Sequence, residues 1–182
     1  MRASYPEACH LPAELDDLGL SLFQRMLLIT DGTVTPLLEM YAGEKIEAVK
    51  LSQVVEKGHR GSSIDRTLVR RVLLRGGASR VNLLYAETTV FLDRIDGRIL
   101  QGLLETNTPI GRLLLDARTE TFREVLKCGS EPAGARARYF HVPEHSPMIF
   151  RTSRIWSGGA LVMIITERFP ETQFRGARPP CA

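Results

Sequence analysis

Arg70 is the residue of this sequence whose surroundings most directly suggest chemistry. It lies in the run Val69–Arg75, and because alternate side chains of a strand face opposite ways, it would share a face with Val72 and Leu74. A guanidinium among apolar neighbours can grip a carboxylate through parallel hydrogen bonds, which lysine does less well. The competing interpretation is that Arg70 pairs with an internal glutamate or lies at a strand end. The opposite face is expected to be solvated and carries Arg71, Leu73 and Arg75.

Glu167 is the second residue that could do chemistry. It lies in the run VMIITERFP, where alternation would place it on one face with Met163 and Ile165. If that face is buried, desolvation would raise the pKa of the carboxyl and allow it to donate a proton near neutral pH. The competing interpretation is a buried salt bridge, for example with Arg70. A glutamate and an arginine on one sheet face also form a pocket for a small anion, so both interpretations stay open.

Two turn-to-helix junctions offer a different kind of contact to an anion. They are Asp31–Pro36 and Thr108–Arg112. The first backbone N–H groups of a helix have no partner within the helix, and the helix dipole favours negative charge there. Gly32 and Gly111 would let the backbone approach a ligand closely. In the first junction we expect Thr35 to be the N-cap, with a proline at the next position.

The composition bounds the class of protein. The 182 residues favour one domain, 1–182, with loose ends at 1–12 and 175–182. The net charge of +3 is too small to indicate a nucleic-acid binder. Three widely spaced cysteines argue against a disulfide framework and favour a reducing cytoplasm. No run of about 20 apolar residues predicts a membrane span, and the N-terminus lacks the apolar core of a signal peptide.

Two polar segments resemble binding motifs only superficially. His141 and His145 flank a proline, which argues against a helix that would bring them together, so no metal site is predicted. The turn GHRGSS, 58–63, lacks the Lys-Ser/Thr ending of a phosphate-binding loop. We expect it to be a mobile loop that could serve as a lid. No dinucleotide fingerprint is present either.

The elements that must position these residues are strands more often than helices. Apolar spacing predicts helices over 20–29, from Thr35 to Gly43, over 94–104 and over 109–115. Extended runs predict strands over 46–55, 67–75, 81–92, 120–127, 137–142, 148–156 and 160–169. The GGASR and SGG segments predict hairpin turns. Because strand neighbours outnumber helix crossovers, we expect an α+β fold with an antiparallel sheet and helices on one face.

Five segments occur in a recognisable order along the chain. They are LLITDGTVTPLLE, KLSQ, RRVLLRG, TPIGRLLL and the closing SGGALVMIITERFP, and they cover residues 20–170. In this order they resemble the chorismate pyruvate-lyase family (4-hydroxybenzoate synthase), in particular its bacterial and archaeal branch. The resemblance implies a single antiparallel sheet of about six strands, with helical flaps over an enclosed pocket.

The resemblance also implies residue roles. The family's strand arginine matches Arg70, which would clamp the ring carboxylate, with Arg71 as the alternative clamp. The glutamate before the closing proline matches Glu167, which would face the ring hydroxyl as a proton donor or only as a hydrogen-bond partner. Backbone amides of the flaps and one further arginine would complete the contacts: Val34, Thr35, Ile110, Gly111 and Arg154.

The implied reaction is the conversion of chorismate to 4-hydroxybenzoate and pyruvate, without metal or cofactor. Loss of the side chain and one ring proton makes the ring aromatic, so the driving force belongs to the substrate. The enzyme would hold a dianion in one pose with preorganised donors, and a closed pocket would slow product release. Two alternatives remain: a non-catalytic module that binds an aromatic acid, and a lyase of the same fold that acts on a related enolpyruvyl substrate.

Overall fold

A computed structural model describes residues 19–57 and 66–176 of the chain. The predicted lid at 58–63 and the predicted loose end at 1–12 lie outside the described residues. The other predicted loose end, 175–182, is described only at its first two positions. Within these ranges, no helix combines the length and apolarity that a membrane crossing needs.

Four α-helices are described, and their ends follow local sequence rules. They are α1 Leu22–Ile29, α2 Thr35–Ala42, α3 Gly97–Glu105 and α4 Ile110–Asp116. Helix α1 begins with a capping box, in which Ser21 and Gln24 each accept a hydrogen bond from the other's backbone amide. Gly43 ends α2 in the left-handed conformation, with φ of 70°. The predicted N-cap at Thr35 is wrong, because Thr35 is already helical and Val34 precedes it.

The described strands form one antiparallel sheet. They are β1 Ile46–Lys57, β2 Arg66–Gly76, β3 Asn82–Phe91, β4 Phe122–Pro132, β5 Pro147–Ser157 and β6 Ala160–Pro170. Their spatial order is β1-β2-β3-β6-β5-β4, and every neighbouring pair is antiparallel. The predicted hairpins join β2 to β3 and β5 to β6. The predicted α+β fold with a single antiparallel sheet is confirmed.

The strand predicted at 137–142 is wrong. Its first half lies in a 3-10 helix, Gly134–Tyr139, and its second half contains no strand residue. Strand β4 runs on to Pro132 and pairs there with Pro147 at the start of β5. Residues 133–146 are therefore the connection between two paired strands, and backbone hydrogen bonds close this connection on itself.

The helices pack on one face of the sheet and bury the main core there. Leu27, Leu38 and Leu103 from three helices share this core with Leu68 and Leu84 from the sheet, and all five are fully buried. Each such leucine stabilises the fold by about 1.5–3 kcal/mol relative to an exposed position. This layer fixes the helix starts over the centre of the sheet.

The opposite face of the sheet is less solvated than predicted. Leu73 is only 5% exposed and lies in a small apolar cluster with Tyr85, Ala137 and Phe140. The 3-10 helix supplies Ala137 and covers this part of the face. Because that cover is distant in the chain, the pattern of β2 alone does not reveal it.

Candidate active site

The sheet register places Arg70 and Glu167 on one face, two strands apart. Arg70 of β2 lies opposite Thr88 of β3, while Glu167 of β6 lies opposite Ala86 of β3. With a strand spacing of about 4.8 Å, the two backbones are roughly 10 Å apart across the sheet. The small side chains of Thr88 and Ala86 lie between them, so the two long charged side chains can face a planar ligand from opposite ends.

A cavity of about 40 Å³ lies between this part of the sheet and the starts of α2 and α4. Its walls contain both predicted charged residues, Arg70 and Glu167, together with Arg123. The helix starts line the opposite side: Thr33, Val34, Thr35, Pro109, Ile110 and Gly111. Most of the remaining lining is aliphatic, so the charged groups dominate the electrostatics of the cavity.

Arg70 is a buried charge whose hydrogen bonds are incomplete. Its residue is 3% exposed, and its Nε and Nη2 atoms have no hydrogen-bond partner. Burial lowers the pKa of this guanidinium, yet an arginine remains protonated at neutral pH. The internal glutamate that could neutralise it, Glu167, pairs with other arginines instead. A buried, unpaired guanidinium is costly, and an anion in the cavity would remove that cost.

Glu167 is held ionised by two arginines. It is 3% exposed, and its Oε2 atom accepts hydrogen bonds from Arg151 Nε at 2.6 Å and from Arg123 Nη1 at 3.1 Å. Burial by itself raises the pKa of this carboxyl, but the charges and hydrogen bonds of both arginines outweigh burial and hold the pKa below its ordinary value. Of the two interpretations that the sequence leaves open, the structure contains the buried salt bridge, although with Arg123 and Arg151 and not with Arg70. The lowered pKa favours the ionised carboxylate near neutral pH.

Arg151 connects the site to the first helix start. Its residue is fully buried, and its Nη1 atom donates to the carbonyl oxygen of Thr30 at 2.5 Å. Thr30 ends α1 and precedes the turn that leads into α2. The same arginine therefore fixes both the carboxyl of Glu167 and the segment that covers the cavity.

The two segments that cover the cavity touch each other at Gly111. We call 31–36 the first flap and 108–112 the second flap. A methyl group at Gly111 would overlap the side chain of Thr33 in the first flap. Only glycine permits this approach, because it has no Cβ atom. The glycine was expected to admit a ligand to the backbone, and the structure shows that it also admits the other flap.

Most predicted contact residues meet at the cavity, but two arginines do not. Val34, Thr35, Ile110 and Gly111 line it. Arg71 is half-exposed on the opposite sheet face and pairs with Glu87 at 3.0 Å. Arg154 is also on that side, where its side chain is 42% exposed and lies 3.7 Å from Glu124. Neither arginine faces the cavity, because alternate residues of a strand point to opposite faces.

Sequence reasoning misses Arg123 and Arg151, which both contact Glu167. Arg151 alternates along β5 with the buried Ile149 and Ser153, so the pattern that marks Arg70 also marks Arg151. Arg123 is harder to find, because a register shift directly after Val125 interrupts the alternation of β4. No periodic pattern in that strand shows which side chains face the core.

The charged groups of the cavity indicate the kind of ligand that it suits. Among the described residues, no three histidine, cysteine or carboxylate side chains are grouped so that they could hold a metal ion. Arg70 and Arg123 line the cavity with Glu167, and Arg123 and Arg151 both pair with that carboxylate. The fold and the site define an α+β protein with a buried, positively charged pocket for a small organic anion.

Comparison with known proteins identifies the family. The family model described as "Chorismate pyruvate-lyase Rv2949c-like" matches residues 28–175. A relative from Mycobacterium tuberculosis named chorismate pyruvate-lyase is 30% identical over 166 residues, which cover 84% of this chain and 82% of the relative. A relative of the same name from Mycobacterium leprae is 31% identical over 160 residues, which cover 83% and 75%. The chain belongs to the chorismate pyruvate-lyase family, as the resemblance predicted.

The fold alone is shared more widely. The effector domain of PhnF from Mycobacterium smegmatis superimposes with a TM-score of 0.60 at 13% identity, over 80% of this chain and 93% of that domain. A possible transcriptional regulator from Bacillus subtilis, YydK, gives a TM-score of 0.54 at 10% identity, over 72% of this chain and 59% of that protein. At such low identity these likenesses establish the architecture only.

Proposed function

We propose that this protein converts chorismate to 4-hydroxybenzoate and pyruvate. The observation that carries the proposal is Arg70, a buried guanidinium that faces the cavity with two nitrogen atoms unpaired. A ring carboxylate would accept both hydrogen bonds and neutralise the charge. Membership of the family supports chorismate as the source of that carboxylate.

The flaps would add donors to the same carboxylate. Val34 and Thr35 lie at the start of α2, and Ile110 and Gly111 lie at the start of α4. All four residues line the cavity opposite the sheet. The first amides of a helix have no partner within the helix. These amides therefore supplement Arg70 and orient the ring so that the far end, which carries the hydroxyl group, points towards Glu167.

The reaction needs no oxidant or reductant. The bond between the ring and the ether oxygen breaks, and the ring carbon that bears the hydroxyl group loses its proton, so the ring becomes aromatic. The departing enolpyruvate gains a proton at its methylene carbon and becomes pyruvate. Because Glu167 is ionised, we assign it to accept the hydrogen bond of the ring hydroxyl and not to donate a proton. The closed, largely apolar cavity would keep water away from the reacting atoms.

A product assay tests the proposal. Purified protein is mixed with chorismate, and 4-hydroxybenzoate and pyruvate are measured in parallel; equal amounts of both are expected. Arg70→Gln should lose affinity as well as rate, whereas Arg71→Gln, the matched control on the opposite sheet face, should retain activity. Folded wild-type protein that forms neither product would overturn the proposal. An assay with isochorismate beside chorismate tests the related-substrate alternative.

Tight binding of 4-hydroxybenzoate without turnover of chorismate would instead favour a non-catalytic binding module. We also propose that the chain acts as one domain, because its described helices and strands contribute to a common core.

A further inference from the structure

The cavity and the ionic cluster beside it hold more positive charge than one benzoate would need. The side chains of Arg123 and Arg151 are 9% and 0% exposed, and Arg70 is also buried. One buried carboxylate, Glu167, opposes these three guanidinium groups. Asp31 also attracts Arg123, but Asp31 is exposed, so solvent screens its charge. A monoanion on Arg70 would still leave the pocket positive.

Arg123 lies where the excess charge can be used. It lines the inner cavity with Arg70 and Glu167, and it also lines a second cavity of about 260 Å³ that adjoins both flaps. Thr33 and Gly111 border both spaces as well. We call the first space the inner cavity and the second the outer cavity. Arg123 therefore lies at the boundary between them. Its Nη1 atom contacts Glu167 at 3.1 Å, which leaves further N–H groups of the fork for a ligand.

The connectivity of chorismate sets which group would reach Arg123. The ring carboxylate and the hydroxyl group lie at opposite ends of the ring, as do Arg70 and Glu167 in the site. The enolpyruvyl ether is attached to the carbon next to the one that bears the hydroxyl group. With the hydroxyl group at Glu167, the side chain must therefore lie beside Glu167, where Arg123 makes its contact.

We infer that Arg123 binds the carboxylate of the enolpyruvyl side chain and so selects a dianion over a monoanion. The inference rests on the proposed function. It assigns a residue to the second carboxylate of chorismate, the one on the enolpyruvyl side chain. A cation at this place also favours cleavage, because negative charge grows on the departing enolpyruvate as the ether bond breaks. After the reaction the aromatic product carries only the carboxylate at Arg70, and Arg123 has no further contact with it.

Binding experiments with two ligands test the inference. The ligands are 4-hydroxybenzoate and its analogue 3-(1-carboxyvinyloxy)-4-hydroxybenzoate, which keeps both carboxylates but is already aromatic and cannot react. Arg123→Gln should weaken binding of the dianion by about 10- to 100-fold, the range for loss of a charged hydrogen bond. Binding of 4-hydroxybenzoate should change less than about 3-fold. Arg70→Gln should weaken the binding of both ligands, because both carry the ring carboxylate.

Kinetics separate a direct contact from an effect through Glu167. If Arg123 contacts the substrate, Arg123→Gln raises KM for chorismate and weakens the dianion more than 4-hydroxybenzoate. The pKa of Glu167 rises in either case, because Arg123 helps to hold it low. If Arg123 only positions Glu167, binding of both ligands weakens together, which overturns the inference. Unchanged affinity for the dianion overturns it too. If Arg123→Gln does not fold, Arg123→Lys takes its place, because it keeps the charge beside Glu167. Its affinity for the dianion should then lie between that of the wild type and that expected for Arg123→Gln.

The outcomes for the two proposals are distinguishable. Absence of turnover in the wild-type protein contradicts the proposed function, while the two-ligand comparison still reports whether Arg123 recognises a second carboxylate. If the wild-type protein turns over chorismate and Arg123→Gln loses affinity equally for both ligands, the proposed function stays intact and only the inference is contradicted.

Discussion

The carboxyl group of Glu167 owes its negative charge to guanidinium groups from two other strands. Arg151 lies opposite Glu167 on the neighbouring strand β5, and Arg123 reaches it from the edge strand β4. Removing one member of a buried ionic cluster leaves its partners buried and unpaired, which is more destabilising than loss of the whole cluster. Glu167 is therefore needed for stability, in addition to the ligand contact proposed for it.

We expect Glu167→Gln to lower the free energy of unfolding by about 3–5 kcal/mol at neutral pH, because two buried guanidinium groups lose their partner. The pKa of Glu167 in the folded protein lies below its ordinary value. Its stabilising contribution is thus present above the unfolded-state pKa of about 4.3 and is lost as the pH falls through the folded-state pKa. Urea titrations from about pH 7 to about pH 3 should show the difference between wild type and variant shrinking below about pH 4.

A matched control for this titration is Glu124→Gln. Glu124 also pairs with an arginine, Arg154, but both side chains are partly exposed. Such a pair contributes only about 0–1 kcal/mol. A difference between wild type and Glu167→Gln that grows towards low pH would show that the pKa of Glu167 in the folded protein lies above its ordinary value.

The sequence predicts the position of Arg70 and Glu167 better than their charge states. Alternation along β2 and β6 is uninterrupted around both residues, so the face that each occupies could be predicted. The pKa of Glu167 depends on Arg123 and Arg151, which other strands bring into contact. A single strand's pattern contains no information on such partners, and for this reason the sequence leaves open whether Glu167 donates a proton or only accepts hydrogen bonds.

At the scale of elements, the flaps act as a pair. Each flap begins a helix, and the two meet where Gly111 approaches Thr33. The first flap is additionally fixed through Thr30, whose carbonyl oxygen accepts a hydrogen bond from Arg151. The cover of the cavity is therefore coupled to the ionic cluster below it.

We expect Gly111→Ala to keep the flaps apart, because the added methyl group overlaps the Thr33 side chain. The substitution should speed dissociation of 4-hydroxybenzoate and lower kcat/KM, while the free energy of unfolding changes by only about 1–3 kcal/mol, as for other overpacked sites. Stopped-flow displacement of bound 4-hydroxybenzoate measures the dissociation rate. The control is Gly97→Ala at the start of α3, where an added methyl group meets open space. Equal dissociation rates in both variants would mean that flap contact does not retain the ligand.

Local signals predicted the helices and hairpins of this chain but not the connection between β4 and β5. Capping residues and tight turns are properties of neighbouring residues, so Gly43 and the hairpin glycines mark their elements directly. The stretch 137–142 is predicted to be a strand, yet its first half belongs to the 3-10 helix Gly134–Tyr139, which packs against Leu73 and Tyr85. Contacts with a distant strand decide its conformation.

At the scale of the whole molecule, the helical layer closes over the sheet and leaves little free space. The inner cavity of about 40 Å³ lies beneath both flaps. Entry and exit therefore require the flaps, or the side chains below them, to move, and such steps often limit turnover.

We expect product release to limit turnover, because the flaps must separate before 4-hydroxybenzoate can leave the site. Rapid-quench mixing with saturating chorismate should show a burst of 4-hydroxybenzoate close to one equivalent per protein molecule, followed by a slower steady state. Added 4-hydroxybenzoate should compete with chorismate. Gly111→Ala should lose the burst, since separated flaps release product faster than the reaction forms it. A linear time course in the wild-type protein would instead place the slow step at or before cleavage of the ether bond.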